Sequence, residues 1–174
     1  MICSSNTGIP RSPARVIIES RVIPSRIEAR GGVVLDKQKA RIDQASGLMK
    51  ACEMGHRNIA VSVVFPGDAV RLRAIEKERG INLILIGAHL TGLKKDEIEV
   101  LIKALDIVTG CASKAVRDKV KPVIQMGTSV PMFAMTQKGK ELLCERAKDV
   151  DSPLLVNTMK LPVLPEHKQP RPLG

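Results

Sequence analysis

Unbroken aliphatic runs alternate along this chain with stretches whose apolar residues recur three and four positions apart, the first marking strands and the second helices. Asn58-Ile-Ala-Val-Ser-Val-Val64 reads as a buried strand, and Pro66-Gly67-Asp68 turns the chain, with Asp68 expected as a helix N-cap. Ala69, Leu72 and Ile75 then share one face of a helix that stops at Gly80. A second strand, Leu83-Ile-Leu-Ile86, runs into the turn Gly87-Ala-His-Leu-Thr-Gly92. The clearest helical stripe follows, at Ile98, Leu101, Ile102 and Leu105. Asp106-Ile-Val-Thr109 is a third strand, and Gly110-Cys-Ala-Ser-Lys114 opens a short basic helix. Pro122-Val-Ile-Gln-Met126 is a fourth strand, with Met132-Phe-Ala-Met135 extending the sheet. Thr136 is expected to cap a helix running to about Lys148, and Leu154-Leu-Val156 reads as a last strand. Upstream, Ile42, Ala45, Leu48, Met49 and Cys52 form a helical face closed by Gly55.

Strands alternating with helices predict an α/β fold: a mostly parallel, Rossmann-like three-layer sheet with helices on both faces. Three regions are expected. Residues 1–35 form an irregular N-terminal segment with short strands (Val16-Ile-Ile18, Val33-Val-Leu35), and 36–160 form the α/β domain. Residues 161–174 are an extended tail, because Pro162, Pro165, Pro170 and Pro172 bar it from a helix or a central strand.

Composition sharpens the picture. Of 174 residues 44% are hydrophobic, yet only 1% are aromatic: there is no Trp and no Tyr, and the two Phe are Phe65 and Phe133. A core of Val, Ile, Leu, Ala and Met suits strands covered by helices. The same scarcity excludes single-strand nucleic-acid binders that stack bases on aromatic rings. A net charge of +10 asks for an acidic partner. The excess is densest in the N-terminal third and no DNA-binding motif accompanies it, which favours a basic solvated surface, or one balanced against an acidic protein neighbour, over nucleic acid. The stretch 81–93 is broken by Asn82 and His89 and is too short for a membrane span, and the N-terminus lacks signal-peptide features. The expectation is a soluble cytoplasmic protein without a membrane partner. The aromatic-poor core and Pro-rich tail are compatible with a homo-oligomer. Cys3, Cys52, Cys111 and Cys144 contain no C-x-x-C pair, so a sequence-local zinc site has no support. Cys52 and Cys144, beside Leu48 and Leu143, read as core residues.

In an open parallel sheet, ligands bind outside the carboxyl ends of the strands. Here that edge carries Phe65-Pro-Gly-Asp68, Ala88-His-Leu-Thr-Gly92, Thr109-Gly-Cys-Ala-Ser-Lys114 and Gly127-Thr-Ser-Val-Pro131, rich in small, hydroxyl and thiol residues. Tight turns need Gly, Ser and Thr for backbone geometry alone, so the pattern has a plainer reading as well. Cys111, at the start of a helix with Lys114 one turn on, reads as a reactive thiol, as a ligand to a soft metal or iron–sulfur centre, or as a small packing residue. His89, between a strand and a Thr-Gly turn, reads as a general base, a metal ligand, or a ring bonded to a loop carbonyl. Thr91, Gly92, Thr109, Gly110, Ser113, Lys114, Thr128 and Ser129 would line a site for a small anionic ligand. The order Thr-Gly-Cys-Ala-Ser-Lys is not a Walker A loop.

Gly31-Gly-Val-Val-Leu-Asp36, Ile42-Asp-Gln44, Ala88-His-Leu-Thr-Gly92, Asp106-Ile-Val-Thr-Gly-Cys-Ala-Ser-Lys114 and Gly139-Lys-Glu141 together resemble the archaeal methanogenesis marker protein 8 family over roughly residues 30–148. That resemblance implies a methanogen setting, with protein partners in an assembly that matures or activates methyl-coenzyme M reductase. Within it His89, Thr91, Cys111, Ser113 and Lys114 are the positions that would matter. Three classes of function follow. The first is a binding or assembly protein with a ligand edge around Cys111 and His89. The second is an enzyme acting on a small phosphorylated or carboxylated substrate, with Cys111 as nucleophile and His89 as base. An RNA-associated protein acting through charge alone is the third.

Overall fold

A computed structural model describes residues 2–4, 15–17, 24–37, 42–156 and 158–171 of the chain. They fall into two compact units: Met1–Val63 with Gly67–Leu85, and Val64–Pro66 with Ile86–Gly174.

Unit 1 contains β1 (Ile2–Ser4), β2 (Arg15–Ile17), α1 (Pro24–Ala29), α2 (Gln44–Glu53), β3 (Asn58–Val63), most of α3 (Pro66–Arg79) and the first residues of β4 (Asn82–Gly87). The strand order is β2-β1-β3-β4, and β1 pairs antiparallel with both β2 and β3. Asp43 caps α2 by accepting from the Ser46 amide at 2.9 Å, so the helix starts at Gln44 and Ile42 stands outside it, 69% exposed. The predicted apolar face therefore loses Ile42 and keeps Ala45 and Leu48 buried, with Met49 and Cys52 half-buried and Gly47 and Ala51 buried in addition; Gly55 ends the turn at φ +86. β3 buries Ile59, Val61 and Val63 in strict alternation. α3 starts at Pro66, whose fixed φ and missing amide suit the first helical position, so Asp68 lies inside the first turn and is not the cap. Arg73 and Glu76 join α3 to β4. Glu76 accepts from the Leu83 amide at 3.0 Å, while Arg73 donates to the Leu83 carbonyl at 3.1 Å and pairs with Glu76 at 2.6 Å.

Unit 2 contains the end of β4, α4 (Lys95–Ala104), β5 (Ile107–Thr109), α5 (Lys114–Lys119), β6 (Ile124–Met126), β7 (Met132–Ala134) and α6 (Gln137–Ala147). Its strand order is β4-β5-β7-β6. The β4–β5 pair is parallel, as the strand–helix–strand alternation predicts, but β5–β7 and β6–β7 are antiparallel. Only five residues separate β6 from β7, enough for a hairpin and too few for a crossover, so this side of the fold is mixed where a mostly parallel sheet was expected. Its core holds Phe133, Leu90, Ile98, Leu101, Leu105, Ile107, Val108 and Val116, all at most 2% exposed. Each such side chain contributes about 1.5–3 kcal/mol over its exposed state.

Two expectations fail here for local reasons. Leu154-Leu-Val156 joins no ladder, and Leu155 and Val156 stand 92% and 93% exposed. Cys144 is exposed rather than core, because α6 buries Gly139 and Leu143 and the next residue is rotated about 100° toward solvent. Cys52 is half-buried.

Candidate functional site

The candidate residues all belong to unit 2, and the strand register decides where they go. β4 and β5 run parallel with Gly87 opposite Val108, so the segments that follow them, 88–94 and 110–113, leave at the same edge. Met132 of β7 lies opposite Thr109, so the turn 127–131 that feeds β7 arrives at that edge too. A 2.6 Å hydrogen bond from the Gly110 amide to the Pro131 carbonyl ties the second segment to the third. One rim therefore gathers the backbone of His89, Thr91, Gly92, Thr109, Gly110, Cys111, Ser113, Lys114, Thr128 and Ser129.

Many of these residues have a packing duty. A Cβ at Gly110 would lie 2.7 Å from the Pro131 ring and 3.1 Å from Phe133, so glycine is required for the 127–131 turn to close. Ser113 is buried and caps α5, its hydroxyl accepting from the Val116 amide at 3.3 Å. Thr109 donates its hydroxyl hydrogen to the Gly87 carbonyl at 3.0 Å, locking β4 to β5 at the rim. A hydroxyl has one hydrogen to give, so in the 3.1 Å contact between Thr109 Oγ1 and Cys111 Sγ the thiol is the donor. Cys111 is half-buried, and its bonded neighbour is Thr109. The helix after it has six residues, so few peptide dipoles add up at its start, which weakens the expected activation of the thiol.

The side chains at the remaining positions have no such duty among the described residues, although the Thr128 carbonyl accepts from Gln169. His89 is exposed and holds φ +57, the one left-handed non-glycine among the described residues. It is followed by Leu90, fully buried, which pins the turn, then by half-buried Thr91 and by Gly92 at φ +89. Lys114 is exposed and makes no ion pair with a described residue. Ser129 is exposed and Thr128 half-buried. Behind the rim, Lys119 of α5 meets Glu99 of α4 at 2.6 Å, and this hydrogen bond and charge hold the Glu99 carboxyl below its ordinary range.

No three His, Cys, Asp or Glu side chains among the described residues converge as a metal site would require. With Thr109 as its partner, Cys111 lacks the thiolate companions that an iron–sulfur or other soft-metal centre needs, so the described donor set does not fit such a group.

Sequence reasoning missed Gln125. Its amide donates to the carbonyls of Gly127 at 2.9 Å and Val163 at 2.7 Å, and accepts from the Val163 amide at 2.8 Å. Gln169, further along, donates to the Thr128 carbonyl. A lone polar residue in the otherwise apolar 122–126 run was the available signal. Asp106, expected to start a strand, lies one residue before β5. It is in fact 2% exposed, receives the Thr136 hydroxyl at 2.7 Å, and its carbonyl backs onto Gly139 with no room for a Cβ. The motif residues Asp106 and Gly139, with the α6 cap Thr136, thus form a structural lock at the start of β5, at the other end of that strand from the rim.

The chain belongs to a family described as an uncharacterized protein conserved in archaea (DUF2099), whose model matches residues 10–148. The uncharacterized protein MJ0054 of Methanocaldococcus jannaschii is 42% identical over 175 residues, covering 99% of this chain. The chain spans 58% of the length of that curated relative. No solved structure matches. No helix among the described residues is long and apolar enough to cross a membrane.

Proposed function

We propose that the chain is a binding protein whose unit 2 rim takes a small anionic ligand, with Lys114 as the cation, the Thr91, Thr128 and Ser129 hydroxyls and free turn amides as donors, and His89 at the mouth. The observation that carries this reading is the convergence of three turns through the Gly87–Val108 register and the Gly110–Pro131 hydrogen bond. The resemblance to the methanogenesis marker protein 8 family, together with a relative in a methanogen, supports a role in methanogen metabolism: assisting the maturation or activation of methyl-coenzyme M reductase through protein partners. A cytoplasmic location and a Rossmann-like three-layer arrangement, with β4-α4-β5 as its right-handed crossover, go with that reading. The enzymatic alternative needs His89 to bond Cys111, and the bonded neighbour of Cys111 is Thr109.

Titration with inorganic phosphate tests the binding reading. Calorimetry on the wild-type chain and on Lys114→Glu is expected to show binding that weakens at least about tenfold in the variant, since reversing the charge replaces attraction by repulsion. Equal affinity in both proteins contradicts the assignment of Lys114.

A further inference from the structure

The Pro-rich tail is held at two points, both at the rim end of β6. Gln125 grips Val163 from both sides, offering its amide N–H to the carbonyl and its Oε1 to the N–H, as a neighbouring strand would. Gln169 reaches the Thr128 carbonyl, inside the turn that carries two of the candidate ligand-binding hydroxyls. Between α6 and these anchors lies a tether: residues 149–156 and 158–160 are exposed throughout and none joins a ladder. Leu161, Pro162, Val163, Leu164 and Pro165, by contrast, are half-buried. The Gln169 Oε1 is buried without a hydrogen-bond partner among the described residues, so the second anchor leaves one polar atom unsatisfied there, a cost that release to water removes.

We propose that residues 161–171 are a strap, clamped by Gln125 and Gln169, that closes against Thr128 at one end of the rim and swings away on the exposed residues 149–156 and 158–160 to admit ligand. The proposal rests on the reading of the rim as a ligand site. The clamp is a few hydrogen bonds between neutral groups, a strength that a ligand can overcome, and the tether keeps the released strap nearby at high effective concentration. A closed strap lowers apparent affinity by the fraction of molecules that are closed, so loosening the clamp tightens binding.

The test uses the whole chain and two readouts. In Gln125→Ala the Val163 amide, whose acceptor is removed, is expected to exchange its hydrogen at least about tenfold faster. The Val123 amide, bonded to the Ala134 carbonyl at 2.8 Å, keeps its protection and shows that the sheet is intact. Inorganic phosphate is then expected to bind Gln125→Ala, and independently Gln169→Ala, at least about twofold more tightly than wild type. Unchanged Val163 exchange overturns the clamp. Faster exchange with equal or weaker phosphate binding overturns the strap while leaving the rim as a site. Phosphate binding to none of the three proteins contradicts the rim reading itself.

Discussion

His89 and Gly110 stand at the same rim for opposite reasons. Gly110 is set by what crowds it, because the Pro131 ring fills the space a side chain would take. Gly110→Ala is expected to cost about 1–3 kcal/mol in urea unfolding, the usual range for forcing an extra carbon into a packed site. His89 holds a left-handed backbone with its side chain exposed, so no packing requires it there. His89→Gly is expected to be more stable than His89→Ala by about 1 kcal/mol, because only glycine is relaxed at that φ. Equal stabilities would mean that the turn reshapes itself around alanine. The thiols separate in the same way. Under alkylation followed by mass spectrometry, exposed Cys144 is expected to react before Cys111, which is half-buried and donates to Thr109. At this scale the sequence reported residue types faithfully and their duties poorly. The turn Thr-Gly-Cys-Ala-Ser-Lys admits both a chemical and a backbone reading from sequence, and three of its members, Thr109, Gly110 and Ser113, hold the backbone together through partners that lie far along the chain or inside a cap.

Elements were legible wherever their signals were local. Ile98 and Leu101 fall on the buried face of α4, Thr136 caps α6, and Gly80 ends the turn after α3, as spacing and capping rules predict. Pairing direction was not legible, since only the length of the 127–131 turn separates a hairpin from a crossover. Leu154-Leu-Val156 failed as a strand because composition does not supply a partner edge. Thr136 serves two elements, accepting from the Gly139 amide at 3.2 Å and donating to buried Asp106. Thr136→Ala is therefore expected to cost about 1–2 kcal/mol, the upper range for a lost N-cap, measured by the urea midpoint at unchanged slope. The Glu99–Lys119 bridge between α4 and α5 makes a weaker, pH-dependent contribution. The folded carboxyl titrates below its unfolded value, so the contribution is complete above the unfolded value and fades as pH falls through the folded one. Glu99→Gln should flatten that acid limb, with the difference from wild type vanishing near about 1 M salt because both groups are exposed.

For the whole molecule, the charge of +10 was visible at once and the way it is used was not. It is the excess left once all 18 acidic side chains are matched, so pairs such as Arg73–Glu76, Lys119–Glu99 and Lys148–Glu145 do not reduce it, and exposed Lys114 is a cation that the rim presents. Membership in an archaeal family and 42% identity to a protein of Methanocaldococcus jannaschii set the lineage, while the chemistry has to come from the rim. Its most direct test is an amide map. Inorganic phosphate added to labelled protein should shift the backbone amides of 88–92, 110–114 and 127–131 together, with one shared dissociation constant. Shifts confined to the Asp106–Thr136–Gly139 end of β5, or no saturable shift at all, would contradict the account.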